Sequence, residues 1–192
     1  MSKAIEGAKR EILEAIARSK VPEDFPHAHN TLEWLLKLDP TADQALQIAA
    51  LSHDIDRAVT ERKVLRADFP DFETFKQAHA ENSVTLLREI LTTHDVEQSV
   101  AREACRLVLL HEIGGCPRSD LLKDADSLSY FEVNLPLYFQ REGFAETKRR
   151  TLWGYSRLSP AARPMALQIV GQSAAMGQWP DVRQKLLAAM QP

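Results

Sequence analysis

Apolar residues recur at intervals of three and four along almost the whole chain, and no stretch alternates apolar with polar as a half-buried strand would. Ile5, Ile12, Leu13 and Ile16 form one stripe between Lys3 and Arg18, and the Pro22 region ends that helix. A second helix is expected from about His27 to Leu38, with Leu32, Leu35 and Leu36 inward. Asp39-Pro40-Thr41 reads as a turn, with Thr41 capping a helix that carries Leu46, Ala49, Ala50 and His53 on one face and Leu51, Asp54 and Ile55 beside it. Residues 57–71 read as a loop. A long helix follows from about Asp71 to Thr93, with Phe72, Phe75, His79, Leu86 and Ile90 on one face. The next, from Val96 to His111, sets Val100, Ala104, Leu107, Val108 and His111 on another, and Gly114-Gly115-Cys116-Pro117 ends it. Helices are then expected at Ser119–Arg141, Ala145–Tyr155, Pro160–Met176 and Asp181–Met190. The pattern predicts an all-α, single-domain helical bundle over residues 1–192, its functional core at about 25–135 and C-terminal helices at 145–190 packed on it.

Length and composition agree with that expectation. A chain of 192 residues with 44% hydrophobic and 27% charged side chains can close one sizeable core. The net charge of −3 leaves no polybasic footprint for nucleic acid. Cys105 and Cys116 stand without CxxC spacing, as suits reduced thiols in a cytoplasm. The first ten residues lack the apolar run of a signal peptide, and no window has the length of a membrane span.

The chemistry concentrates on histidines and aspartates that fall on apolar faces. His53-Asp54 interrupts the most apolar stretch of the chain, where an unpaired charge would cost several kcal/mol. A metal ion is one partner that would offset that cost. His29 lies on the preceding helix, one turn from Leu32 and two from Leu36, which favours it over His27, read as a surface or capping residue. Downstream, Asp124 and Asp126 flank Ala125, with Leu128 and Tyr130 holding that helix in the core. The order His, His-Asp, Asp, all on helices, resembles the HD superfamily of metal-dependent phosphohydrolases. The Ala125-Asp126-Ser127-Leu128 segment matches that family's Ala-Asp-x-Leu motif, and Asn30 supplies the polar residue that often follows its first histidine. The segments His29–Trp34 and Ser156-Arg-Leu-Ser159 also look like a poorly characterised HD-related group.

The resemblance implies a metal held by His29, His53, Asp54 and Asp126, with Asp124 as an outer acceptor for a ligand histidine. In two-metal subgroups, histidines at the positions of His79 and His111 complete a second site around a bridging aspartate, here Asp54. His111 has Glu112 beside it as a neutralising partner. Mixed imidazole and carboxylate ligands suit Mn, Fe, Co, Ni, Mg or Zn. The chain departs from the family at Arg57, where several nucleotidases carry glutamate. An arginine cannot act as a base there, but it can clamp phosphate oxygens. Asp56 is then a candidate for orienting water, although a local salt bridge with Arg57 explains it equally well. Arg57, Arg62, Lys63 and Arg66 form a basic cluster suited to a small phosphorylated substrate, such as a nucleotide. Lys148, Arg149 and Arg150 form a second basic cluster that could contribute, but a solvated helix face explains it more cheaply. The expected activity is metal-dependent phosphate ester hydrolysis in the cytoplasm, with Asp54, Asp56 and Arg57 as catalytic candidates. The alternatives are a di-iron oxygenase of the same superfamily and a non-catalytic nucleotide-binding module.

Overall fold

Ten α-helices take up the amphipathic stripes, and no strand occurs among the described residues. The structure is a computed structural model that describes residues 2–191. Helix α3 (Gln44–Ser52) is apolar almost all round and lies at the centre, with Ile48, Ala49 and Ala50 inaccessible to solvent. Around it pack α1 (Lys3–Ile16), α2 (Asp24–Leu38), α6 (Gln98–Leu110) and α7 (Pro117–Ser129). The long α5 (Phe72–Thr93) closes the bundle against α1 and α6. Ile12, Leu51, Leu87, Leu107 and Leu122 fill this first core.

A second core forms where α7 runs into the C-terminal helices. Leu128, Phe131, Leu135, Val170 and Leu186 are its buried centre, drawn partly from α8 (Leu135–Arg157), α9 (Arg163–Gln172) and α10 (Pro180–Met190). Trp34 and Leu38 of α2 pack against both cores and join them. No helix of the described residues is long and apolar enough to cross a membrane.

The expected elements are present, with differences that bear on function. Asp43 rather than Thr41 caps α3, accepting the Leu46 backbone N–H at 3.0 Å, while Thr41 turns its hydroxyl to Asp39 at 2.7 Å. The expected loop at 57–71 begins inside a short helix, α4 (Ile55–Ala58), and contains a single 3₁₀ turn at Arg66–Asp68. The helix expected at Ser119–Arg141 is interrupted by a wide π-helical turn, Tyr130–Asn134. Beyond it α8 runs through the span expected at Ala145–Tyr155, with one break at Gly143, whose φ of 74° suits a residue without Cβ.

The break that matters most is at His53-Asp54. Helix α3 ends at Ser52, and Asp54 adopts φ −106° and ψ 17° before α4 begins. Neighbouring side chains in an unbroken helix diverge by about 100°. The turn between α3 and α4 instead brings His53 Nε2 within 3.7 Å of Asp54 Oδ2. Phe131 is fully buried in the second core. Phe131→Ala should therefore cost about 3–5 kcal/mol of unfolding free energy, read as a lowered urea midpoint with an unchanged m-value.

Candidate metal centre

Four buried imidazoles and two carboxylates from five segments of the chain meet where the first turn of α2, the C-terminal ends of α3, α6 and α7 and the first half of α5 converge. His27, His53 and Asp126 bring one ligand atom each into a first triad, and Asp54, His79 and His111 into a second. Within each triad these atoms lie within 4.8 Å of one another. Asp54 spans the two, its Oδ1 lying 2.8 Å from His79 Nε2 and 3.8 Å from His111 Nε2. Its Oδ2 lies 3.7 Å from His53 Nε2 and 3.9 Å from His27 Nε2. Asp126 Oδ1 closes the first triad at 3.3 Å from His27 and 3.6 Å from His53.

Each imidazole is aimed by what its other nitrogen binds. His53 Nδ1 donates to the Ala50 carbonyl at 3.0 Å and His111 Nδ1 to the Val108 carbonyl at 2.7 Å. A carbonyl only accepts, so in both rings Nδ1 carries a hydrogen, and Nε2 is the atom turned toward the carboxylates of the cluster. His27 Nδ1 pairs with Ser129 Oγ at 2.8 Å, and that hydroxyl also reaches the His27 carbonyl at 3.2 Å. His79 Nδ1 donates to Asp56 Oδ2 at 2.8 Å. This is how proteins orient metal-ligating histidines.

The residues fit a cation. His27 Nε2 and His53 Nε2 stand 3.2 Å apart with both Nδ1 atoms engaged elsewhere, so two lone pairs face each other unless a proton or a metal lies between them. Burial disfavours the charge on Asp54, but Arg57 and His53 more than offset it and hold the carboxyl well below its usual range. Asp126 follows the same logic, with Arg157 as the main compensating charge. Burial lowers the pKa of His111. For His79 burial acts the same way, yet the hydrogen bonds to Asp54 and Asp56 prevail and raise its pKa to about 9. Without a metal, His79 therefore holds a proton between two carboxylates, in the place where a divalent ion would supply positive charge.

The structure corrects the first ligand. His27, at 3% exposure, faces the chamber; His29 lies on the other side of α2, edge-on to Phe25 in a groove with Leu32 and Leu51. The inference from Leu32 and Leu36 followed the wrong stripe. The deeply buried face of α2 carries Asp24, His27, Ala28, Thr31 and Leu35, with His27 at the chamber and Asp24 at the cleft, while Leu36 is 37% exposed. His53, Asp54, Asp126, His79 and His111 are all brought together. Asp124 makes no hydrogen bond or ion pair with a histidine among the described residues; its Oδ1 accepts the Ser159 backbone N–H at 2.8 Å and ties the turn between α8 and α9 to α7.

Asp56 is corrected in role. It is almost fully buried, with Oδ2 on His79 and Oδ1 receiving the Val64 backbone N–H at 3.0 Å and the Asn82 amide. Both oxygens are taken, so it positions His79 rather than a water molecule.

A cleft of about 400 Å³ opens beside the cluster, and a chamber of about 20 Å³, room for one water molecule, lies between the two. Arg57, Glu112, Tyr130, Asn134 and Arg150 line both spaces. Arg57 also holds Asp54 Oδ2 at 2.9 Å. Lys63 and Arg66 line the cleft as expected, whereas Arg62 turns away to a bidentate pair with Glu89 at 2.7 and 2.8 Å. Phe72 and Phe75, expected inside the core, form the cleft wall, with Phe75 stacked 6.2 Å from the His79 ring.

The C-terminal helices contribute residues that sequence reasoning left out. Arg150, read as solvated, reaches the chamber and stacks on Trp153 at 4.4 Å; among the described residues it makes no ion pair and no hydrogen bond. Burial, reinforced by Arg57, lowers its pKa. Arg157 bridges Asp126 at 3.2 Å, Glu112 at 3.3 Å and the His111 carbonyl at 3.1 Å. The Ser156-Arg-Leu-Ser159 segment was the available signal for Arg157, and spacing alone gave no sign of where it pointed.

A family model described as "Domain of unknown function (DUF4202)" matches residues 5–177. The chain belongs to that family. No curated protein and no solved structure gives a significant match.

Two outcomes separate this arrangement from the expected one. His27→Ala should lower bound transition metal at least about tenfold in elemental analysis, while His29→Ala leaves it unchanged. Asp56→Asn should weaken metal binding about 10–100-fold in a competitive chelator titration, because it removes the acceptor that aims His79.

Proposed function

We propose that this protein is a metal-dependent phosphohydrolase of the HD type, acting on a nucleotide or another small phosphorylated metabolite. The observation that carries the proposal is the placement of Arg150. A partly buried guanidinium with no anionic partner borders both the cleft and the chamber beside a cluster of metal-binding character. Such a cation is costly unless an anion joins it. Arg57 is beside it, and Arg157 closes the far side of the chamber.

The reading assigns tasks from those positions. A metal held by His27, His53 and Asp126, or by Asp54, His79 and His111, would supply an activated water and polarise a phosphoryl oxygen. Arg57 and Arg150 would bind the phosphoryl oxygens and offset the charge that builds on them. Lys63 and Arg66 at the cleft edge would attract the anion, and Phe72, Phe75 and Tyr138 would pack against the organic part of the substrate. The aromatic wall and the volume of about 400 Å³ suit a ligand of nucleotide size.

The test is phosphate release from a panel of nucleotides and sugar phosphates with manganese or cobalt. Arg150→Ala should keep its metal and lose at least about tenfold in kcat/KM, since a charge-assisted hydrogen bond contributes about 1.5–3 kcal/mol. Turnover that consumes dioxygen and requires iron would replace the hydrolase with an oxygenase. Nucleotide binding with neither phosphate release nor oxygen uptake would leave a binding module.

A further inference from the structure

Three carboxylates line the chamber between the cluster and the cleft: Asp54, Asp126 and Glu112. Asp54 gives its two oxygens to His79 and Arg57, and Asp126 gives its two to the histidines and Arg157. Glu112 differs. Its Oε1 lies 3.8 Å from His111 Nε2, while its Oε2 is buried and has no hydrogen-bond partner; the Arg157 guanidinium at 3.3 Å is not aligned to donate to it. Two further residues that line both chamber and cleft, Tyr130 and Asn134, each carry a buried atom without a hydrogen-bond partner, Oη and Oδ1. Buried polar atoms are seldom left unpaired, and a cluster of them at one junction marks a place where a ligand or water completes the bonding.

A carboxylate oxygen that has an ion pair with Arg157 but no hydrogen bond is out of place in a chamber arranged for an anion by Arg57 and Arg150. It would repel a phosphoryl group unless it accepts a hydrogen bond from something between the two. The attacking water is that group. On the strength of the hydrolase reading above, we infer that Glu112 is the catalytic residue that holds this water and accepts its proton. As the water oxygen bonds to phosphorus, one proton passes to Glu112 Oε2. The ester P–O bond then breaks with its electron pair on the leaving oxygen, which takes a proton from solvent in the cleft. Glu112 returns its proton to solvent, so the sum is ester plus water giving alcohol plus phosphate. Tyr130 Oη donates to a phosphoryl oxygen, and Asn134 Oδ1 accepts from the same water.

The experiment compares the wild type with Glu112→Gln and Glu112→Asp, loaded with manganese. Glu112→Gln should hold as much manganese as the wild type and bind inorganic phosphate as tightly or more tightly. On the phosphoester that the wild type turns over, its kcat should fall at least about a hundredfold with KM changed less than about threefold. Glu112→Asp should recover part of that loss. A Glu112→Gln kcat within about threefold of wild type would overturn the assignment and leave the hydrolase reading standing. Loss of manganese from Glu112→Gln would also overturn it, by making Glu112 a ligand. A wild type that releases phosphate from no ester would refute the hydrolase reading, and this inference with it.

Discussion

Everything at the functional end of this molecule depends on how buried imidazoles and carboxylates escape the cost of leaving water. His27, His53, His79 and His111 are each at most 3% exposed, and all turn Nε2 toward Asp54 or Asp126. Each Nδ1 is spent on a carbonyl, a hydroxyl or a carboxylate. The rest of the fold serves that convergence. Helix α3 ends at Ser52 so that His53 and Asp54 can face one way, and the π-turn after Ser129 carries Tyr130 and Asn134 to the chamber. A chain optimised only for packing would have little use for either break.

The second half of the chain is more than a support. Arg150 and Arg157 project from one face of α8 and stack on Trp153 at 4.4 and 4.6 Å, so the C-terminal core fixes the cations of a site whose candidate ligands all lie before residue 130. Lys76 of α5 also lies over Trp153, at 4.9 Å. This one indole therefore organises positive charge from two helices along one side of the cleft. Asp56 does related work on the other side. It links His79 to the backbone of Val64, and through Asn82 to the Arg62 carbonyl, so a candidate ligand histidine and the basic loop share one anchor.

Much of this was legible in the sequence. Helical periodicity gave the all-α class and most element centres, because burial of one stripe per helix leaves a strong 3.6-residue signal. Four of the six residues in the two triads, His53, Asp54, His79 and His111, stood out as polar groups on apolar faces, and the family resemblance singled out Asp126. His27 was passed over for His29 because the rule that leucines mark the inward face fails for a helix whose deepest face lines a polar chamber. Asp56 and Arg62 were assigned to water and substrate from proximity alone; their hydrogen bonds to His79 and Glu89 depend on contacts between helices distant in sequence. Arg150 looked solvated because Lys148, Arg149 and Arg150 form a charge run, and nothing local distinguishes the member that the break at Gly143 and the packing of α8 direct inward.

The central claim is that the His/Asp cluster is a metal site. Anomalous diffraction from crystals grown with manganese tests it most directly. The account predicts a peak among His27, His53 and Asp126, among Asp54, His79 and His111, or in both places, bonded through the Nε2 atoms. A map without a peak at either triad, with water or direct hydrogen bonds satisfying those nitrogens at saturating manganese, would contradict it.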